Sequence, residues 1–146
     1  MATNHTYIAA DPEQVWQVLA DPQSYAHWVV GSSRTRRLRG RWPNKGSVFG
    51  HVQGVGPIGL RDTTEVVTSQ RPQRLVLEVR IRPFALGRVE MRLEPHGEGT
   101  WVSMTEHQFG GLIGRPFGPL AEPALLVRNI ESLRRLRRMA EKGETR

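Results

Sequence analysis

Apolar and polar residues alternate with a period of two from about residue 33 to 109, and that alternation predicts a series of β-strands. Residues 87–94 are the clearest run, with Val89, Met91 and Leu93 on one face and Arg88, Glu90, Arg92 and Glu94 on the other. Residues 74–82 repeat the pattern with Leu75, Leu77, Val79 and Ile81. Turn-forming residues at 43–46, 54–59, 70–73, 83–87 and 95–99 separate five or six such runs. Connections this short join antiparallel neighbours, so the segment reads as a meander with one wet face and one covered face.

The pattern changes at both ends. Residues 3–9 predict a short first strand, and residues 11–28 two short helices. Asp11 before Pro12 reads as an N-cap with proline at the first helical position, and Gln14 completes a capping box. Asp21-Pro22 repeats the signal, so the two helices meet at a corner, the first burying Val15, Trp16 and Leu19, the second held by Tyr25 and Trp28. Residues 123–141 predict a terminal helix with an apolar stripe of Leu126, Ile130, Leu133, Leu136 and Ala140. Arg128, Arg134, Arg135 and Arg138 are assigned to its opposite face, with Glu131–Arg135 as an i, i+4 pair. At ~1.5 Å per residue this helix spans ~28 Å, enough to cross a small sheet. The expected fold is α+β: a curved antiparallel sheet of about seven strands around a long C-terminal helix, with a hollow left between them.

Alternation also assigns polar residues to that hollow. Asp62 and Thr64 share a face with Ile58, Leu60 and Val66, Glu106 with Val102 and Met104, and His51 with Phe49. The predicted lining is Trp28 of the second short helix, Phe49, Leu60, Leu77, Val79, Met91 and Met104 of the sheet, and Leu126, Asn129 and Ile130 of the terminal helix. Unpaired carboxylates in an apolar cavity cost several kcal/mol, so Asp62 and Glu106 need protons, an imidazolium or water. A histidine with two carboxylates is a possible general acid/base, which makes His51, Asp62 and Glu106 the candidate catalytic residues. The same groups can orient a ligand without catalysis, or cap backbone at the mouth of the hollow.

Composition narrows the classes. The 146-residue chain is the usual size of a single domain, and 38% hydrophobic residues suffice for a core. It has no cysteine, which excludes disulfides, thiolate metal sites and cysteine nucleophiles. The five histidines show no metal-ligand spacing and no phosphate-cradling loop is present, so neither a metal nor a cofactor is expected. No run of ~18 apolar residues offers a membrane span, and the N-terminus lacks a secretory pattern, so a cytoplasmic location is the expectation. The net charge of +7 comes almost wholly from arginine. Its densest run is Arg34, Arg36, Arg37, Arg39 and Arg41, in which Arg37, Arg39 and Arg41 are read as one stripe of the second strand. Such a stripe either guards a sheet edge or contacts phosphate. The glycine- and proline-rich residues 110–123, with Leu112, Ile113, Phe117 and Leu120, read as a lid or a plug.

Several short motifs, taken in order, resemble one family. They are Ile8-Ala9-Ala10, Val15-Trp16, Asp21-Pro22, Tyr25, Trp28, Gly46-Ser47, Asp62-Thr63-Thr64-Glu65-Val66, Pro72 with Leu75-Val76-Leu77, Gly99-Thr100, Asn129 and Leu133. The chain resembles the polyketide cyclase/dehydrase-like (SRPBCC) branch of the START-like superfamily, which has the helix-grip fold of the birch-pollen allergen. The resemblance implies a cavity for a lipid, polyketide or other small hydrophobic molecule, and leaves the chemistry open. Three functions follow as expectations: a binder of an apolar small molecule, a polyketide cyclase or dehydratase using His51, Asp62 and Glu106, and an RNA- or ribosome-associated basic module.

Overall fold

A computed structural model of the chain describes residues 2–30, 32–55, 58–81, 85–108 and 118–143. The alternating segments form strands and the capped segments form helices. In chain order the elements are β1 (Ala2–Ile8), α1 (Pro12–Leu19), a single 3₁₀ turn (Pro22–Ser24) running into α2 (Tyr25–Trp28), then β2 (Ser32–Arg39), β3 (Val48–Val55), β4 (Ile58–Gln70), β5 (Arg74–Ile81), β6 (Ala85–His96), β7 (Gly99–Gln108) and α3 (Gly118–Lys142). The strands make one seven-stranded sheet in the order β1-β7-β6-β5-β4-β3-β2, antiparallel throughout. The sheet curls around α3, the helix-grip arrangement.

Both helix-start signals work, one of them differently from expectation. The Asp11 carboxylate accepts from the Gln14 N–H at 2.8 Å, and Asp21 from the Gln23 N–H at 3.0 Å. The Gln14 side chain does not close a capping box; its Nε2 donates to the Ala140 carbonyl at 2.6 Å and so ties α1 to the end of α3. At the β6–β7 turn Gly97 takes a φ of +61°, and a Cβ on Gly99 would stand 2.4 Å from the Ile8 carbonyl oxygen. That close approach brings the chain past β1, where the Thr100 hydroxyl donates to the Ala10 carbonyl at 2.7 Å.

The core lies between the concave face of the sheet and the helices. Leu75, Leu77, Val89, Met91, Leu93, Val102 and Met104 face Val15, Trp16, Leu19, Leu133, Leu136 and Ala140, all buried. Each such side chain contributes roughly 1.5–3 kcal/mol through burial. Beside them, Tyr25, Trp28, Trp42 and Phe49 pack ring against ring, with centroids 4.4–5.7 Å apart. The Leu19 carbonyl accepts from both Tyr25 Oη at 2.7 Å and Trp42 Nε1 at 2.9 Å. Burial raises the Tyr25 phenol well above its ordinary range, so this hydroxyl stays a donor.

Three expectations about placement change. The terminal helix begins at Gly118, earlier than residue 123. Its buried arc runs through Asn129, Ser132, Leu133, Leu136, Met139 and Ala140, while Ile130 is 60% exposed. At ~100° per residue Ile130 is rotated past the edge of that arc, and Leu126 lies at its margin, half-buried. The same rotation puts Arg128 on the arc's other flank, not opposite it. Finally, β2 ends at Arg39, so Arg41 and Trp42 belong to the following turn, where Trp42 packs on the core. Arg39 meets Glu65 at 3.6 Å and donates to the Gly46 carbonyl; the side chains of Arg34 and Arg37 lie outside the described residues.

Candidate functional site

The curl of the sheet leaves a hollow beside the aromatic cluster. Its wall is apolar along Trp28, Val29, Phe49, Leu77, Val79, Val89 and Met104, and polar at His51, Thr64, Glu106 and Arg128. The space open to the centre of a water molecule is about 80 Å³, room for on the order of five waters at ~10–15 Å³ each.

Register explains the first polar group. His51 of β3 is the direct cross-strand partner of Asp62 of β4, and Phe49 that of Thr64, so all four side chains share the concave face. His51 Nε2 lies 2.5 Å from Asp62 Oδ1 and 3.0 Å from Thr64 Oγ1. Its other nitrogen, Nδ1, lies 2.7 Å from Ser32 Oγ. The Asp62 side chain is wholly buried and that of His51 nearly so, at 0% and 4% exposure. The buried Asp62 carboxylate thus stands against an imidazole whose own hydrogen bonds run to Thr64 and Ser32.

The second polar group joins sheet to helix. Glu106 of β7 accepts from Asn129 Nδ2 of α3 at 3.0 Å, and the Arg128 guanidinium stands 3.9 Å from its other oxygen. Glu106 and Asn129 are buried, whereas the Arg128 side chain is 29% exposed. Ser132, one turn on, accepts from the Val30 N–H at 3.1 Å, so two polar residues of the buried arc each have a partner.

Of the expected site residues, Trp28, Phe49, His51, Leu77, Val79, Met104 and Glu106 stand in the wall of the hollow. Asp62 and Asn129 are not in the wall; Asp62 stands against His51, and Asn129 donates to Glu106. Met91 is buried in the core and Leu126 is half-buried, neither of them in the wall. Ile130 points outward and takes no part in it. The side chain of Leu60 and residues 109–117 lie outside the described residues; of the expected lid or plug at 110–123, residues 118–123 belong instead to the start of α3. Sequence reasoning missed Arg128, Thr64 as a partner of His51, and Ser32. Among the described residues no group of acidic or histidine side chains is arranged to hold a metal ion, and no helix is long and apolar enough to cross a membrane.

A family model described as polyketide cyclase/dehydrase and lipid transport matches residues 2–141. No curated protein gives a significant sequence match. Among solved structures, a hypothetical protein of Helicobacter pylori, jhp0584, superposes with a TM-score of 0.79 at 14% identity, over 95% of this chain and 86% of that one. The protein Ara h 8.0201 gives 0.76 at 6% identity over 96% of both chains. DynU16, a putative protein in the dynemicin biosynthetic locus, gives 0.69 at 20% identity over 99% of this chain and 48% of its own. At these identities the likeness is one of fold.

Proposed function

Because the chain belongs to the polyketide cyclase/dehydrase and lipid transport family, we propose that it binds a small, mainly hydrophobic molecule in the hollow between the curled sheet and α3. The observation that carries this reading is the composition of the wall: a continuous apolar stretch from Trp28 and Phe49 to Val89 and Met104, with His51 and Glu106 as its polar stations. Such a surface favours an apolar body and holds a few donors or acceptors that orient it. Glu106 and Arg128 suit a hydroxyl or carbonyl on the ligand, and His51 suits another.

The test is native mass spectrometry of the freshly purified protein, followed by release under denaturing conditions. A co-purifying apolar species that is lost from a Val79→Trp variant supports the proposal. A clean protein that also fails to take up a naphthalene-sulfonate dye opposes it.

One observation favours a second reading, acid–base catalysis on the bound molecule. The contact between His51 and the Asp62 carboxylate, at 2.5 Å, fixes the orientation of an imidazole that borders the hollow. An imidazole so held can take a proton from a carbon next to a carbonyl, and Arg128 can stabilise the resulting enolate. On this reading Asp62→Asn lowers turnover of a β-keto substrate by roughly 10²–10⁴-fold while leaving ligand uptake intact. Undiminished turnover would exclude it.

A further inference from the structure

Two bare aliphatic side chains stand side by side on α3. Among the described residues four large apolar side chains are exposed, Tyr7, Trp101, Val127 and Ile130. Tyr7 and Trp101 each lie against another ring, His96 at 6.0 Å and His5 at 5.6 Å. Val127 and Ile130, at 68% and 60% exposure, are the barest of the four and lie about one helical turn apart. Apolar surface left adjacent in this way marks a contact face, as single scattered side chains do not.

The rest of that face is cationic. At ~100° per residue, Val127, Ile130, Arg134, Arg137 and Arg138 fall within one sector of ~100°, opposite the buried arc. All three arginines are exposed. From Val127 to Arg138 the face extends ~16 Å along the axis, apolar at one end and basic at the other. Between Leu126 and Lys142 the helix carries six cations against two carboxylates, so four of the chain's seven net positive charges lie on this segment. The carboxylates are already engaged. Glu131 accepts from Arg134 at 3.0 Å and Arg135 at 3.2 Å, and Glu141 accepts from the Ala9 N–H at 2.8 Å with Arg137 3.8 Å away. Exposed pairs of this kind are weak and leave the segment positive.

We propose that this face of α3 docks the protein on an anionic lipid bilayer, with Val127 and Ile130 entering the boundary between headgroups and acyl chains and Arg134, Arg137 and Arg138 meeting lipid phosphates. Charge and side-chain type decide among the occupants. A second copy docked through the same face would set arginines against arginines. A nucleic acid would use the arginines but gain nothing from two aliphatic side chains, since single strands stack on aromatic rings and α3 has none. A bilayer uses both. Its negative surface attracts the guanidinium groups, whose long stems keep the charge at headgroup level while the apolar neighbours go deeper. Arg128, next to Val127, stands in the wall of the hollow. The docked face therefore borders the site of the binding reading, although docking itself needs nothing from the hollow.

The chain has no cysteine, so a single introduced one can carry an apolar bimane label. The experiment compares the whole protein labelled at Ile130→Cys with the protein labelled at Glu94→Cys, an exposed position of β6. The vesicles are phosphatidylcholine alone, or phosphatidylcholine with about a third phosphatidylglycerol. The expected result is a blue shift of the label at position 130 and none at position 94, on the anionic vesicles only. Co-sedimentation of the unlabelled protein with them should fall at least ~10-fold between low salt and about 0.5 M salt. Each arginine near such a surface contributes about a factor of 5 to affinity, so Arg134→Glu/Arg138→Glu should weaken binding at least ~25-fold. Val127→Gln/Ile130→Gln should weaken it at least ~5-fold and keep the salt dependence. Equal shifts at both labels, equal binding to both kinds of vesicle, or no binding at low salt overturns the inference. Binding to a poly-uridine strand without binding to vesicles overturns it too, as does a dimer in sedimentation that buries the label at position 130 with no lipid present. None of these outcomes bears on the binding reading, which the co-purifying species and the dye decide.

Discussion

The His51–Asp62 pair makes the sharpest stability prediction. Replacing His51 by leucine removes the partner of a carboxylate whose side chain has no exposed surface. Breaking a buried pair from one side deprives a dry carboxylate of its imidazole partner, at a cost of about 3–5 kcal/mol. Against a total stability of roughly 5–15 kcal/mol, that is a large fraction. Removing both groups is a different perturbation. In His51→Leu/Asp62→Leu the buried carboxylate goes as well, and the Ser32 and Thr64 hydroxyls lose their bonds to His51, about 1 kcal/mol each. The double variant should therefore be more stable than His51→Leu alone by at least ~2 kcal/mol, a strongly non-additive cycle. Urea unfolding at pH 7, followed by tryptophan fluorescence, measures all four corners. A His51→Leu variant within about 0.5 kcal/mol of wild type would refute the reasoning, because the pair would then be worth no more than an exposed one.

Other outcomes follow from the same geometry. Leu136→Ala should cost about 2–5 kcal/mol, whereas Ile130→Gln should change stability by less than ~0.5 kcal/mol; thermal and urea unfolding of the two variants test the rotation of α3. Asp11→Ala removes the cap on Gln14 and should lower stability by about 1 kcal/mol, measurable as a shift in the urea midpoint. The hydrogen bonds from Arg80, then from Arg88, hold the Glu78 carboxyl below its ordinary value of 4.5. Its contribution is thus present above pH 4.5 and is lost as pH falls through the lowered value. Glu78→Gln should be less stable than wild type at pH 7, and unfolding measured down a pH series should show the gap closing in acid.

The sheet was legible in the sequence because a period of two is unambiguous where one face is buried. Val89, Met91 and Leu93, and equally Asp62, Thr64 and Glu106, fall on the face that alternation assigns them. The helix was less legible. Its stripe was phased on Leu126 and Ile130, yet the buried arc passes through Asn129 and Ser132, polar residues that are at home there only because Glu106 and Val30 supply partners from other elements. Those partners are distant in the chain, so nothing local reveals them, and Arg128 was misplaced by the same rotation. Ser32 was invisible for another reason. Its approach to His51 depends on a register irregularity between β2 and β3, and a single inserted residue leaves no compositional mark. Gln14 is a similar case, since its side chain finds Ala140 across the fold and not the backbone beside it.

The occupancy of the hollow can be read directly from methyl NMR spectra of the protein titrated with a naphthalene-sulfonate dye. The methyl resonances of Leu77, Val79, Val89 and Met104, which line the hollow, should shift together and saturably, with those of the exposed Val127 and Ile130 unmoved. Shifts confined to Val127 and Ile130, or no saturable shift at all, would contradict a binding site beneath α3.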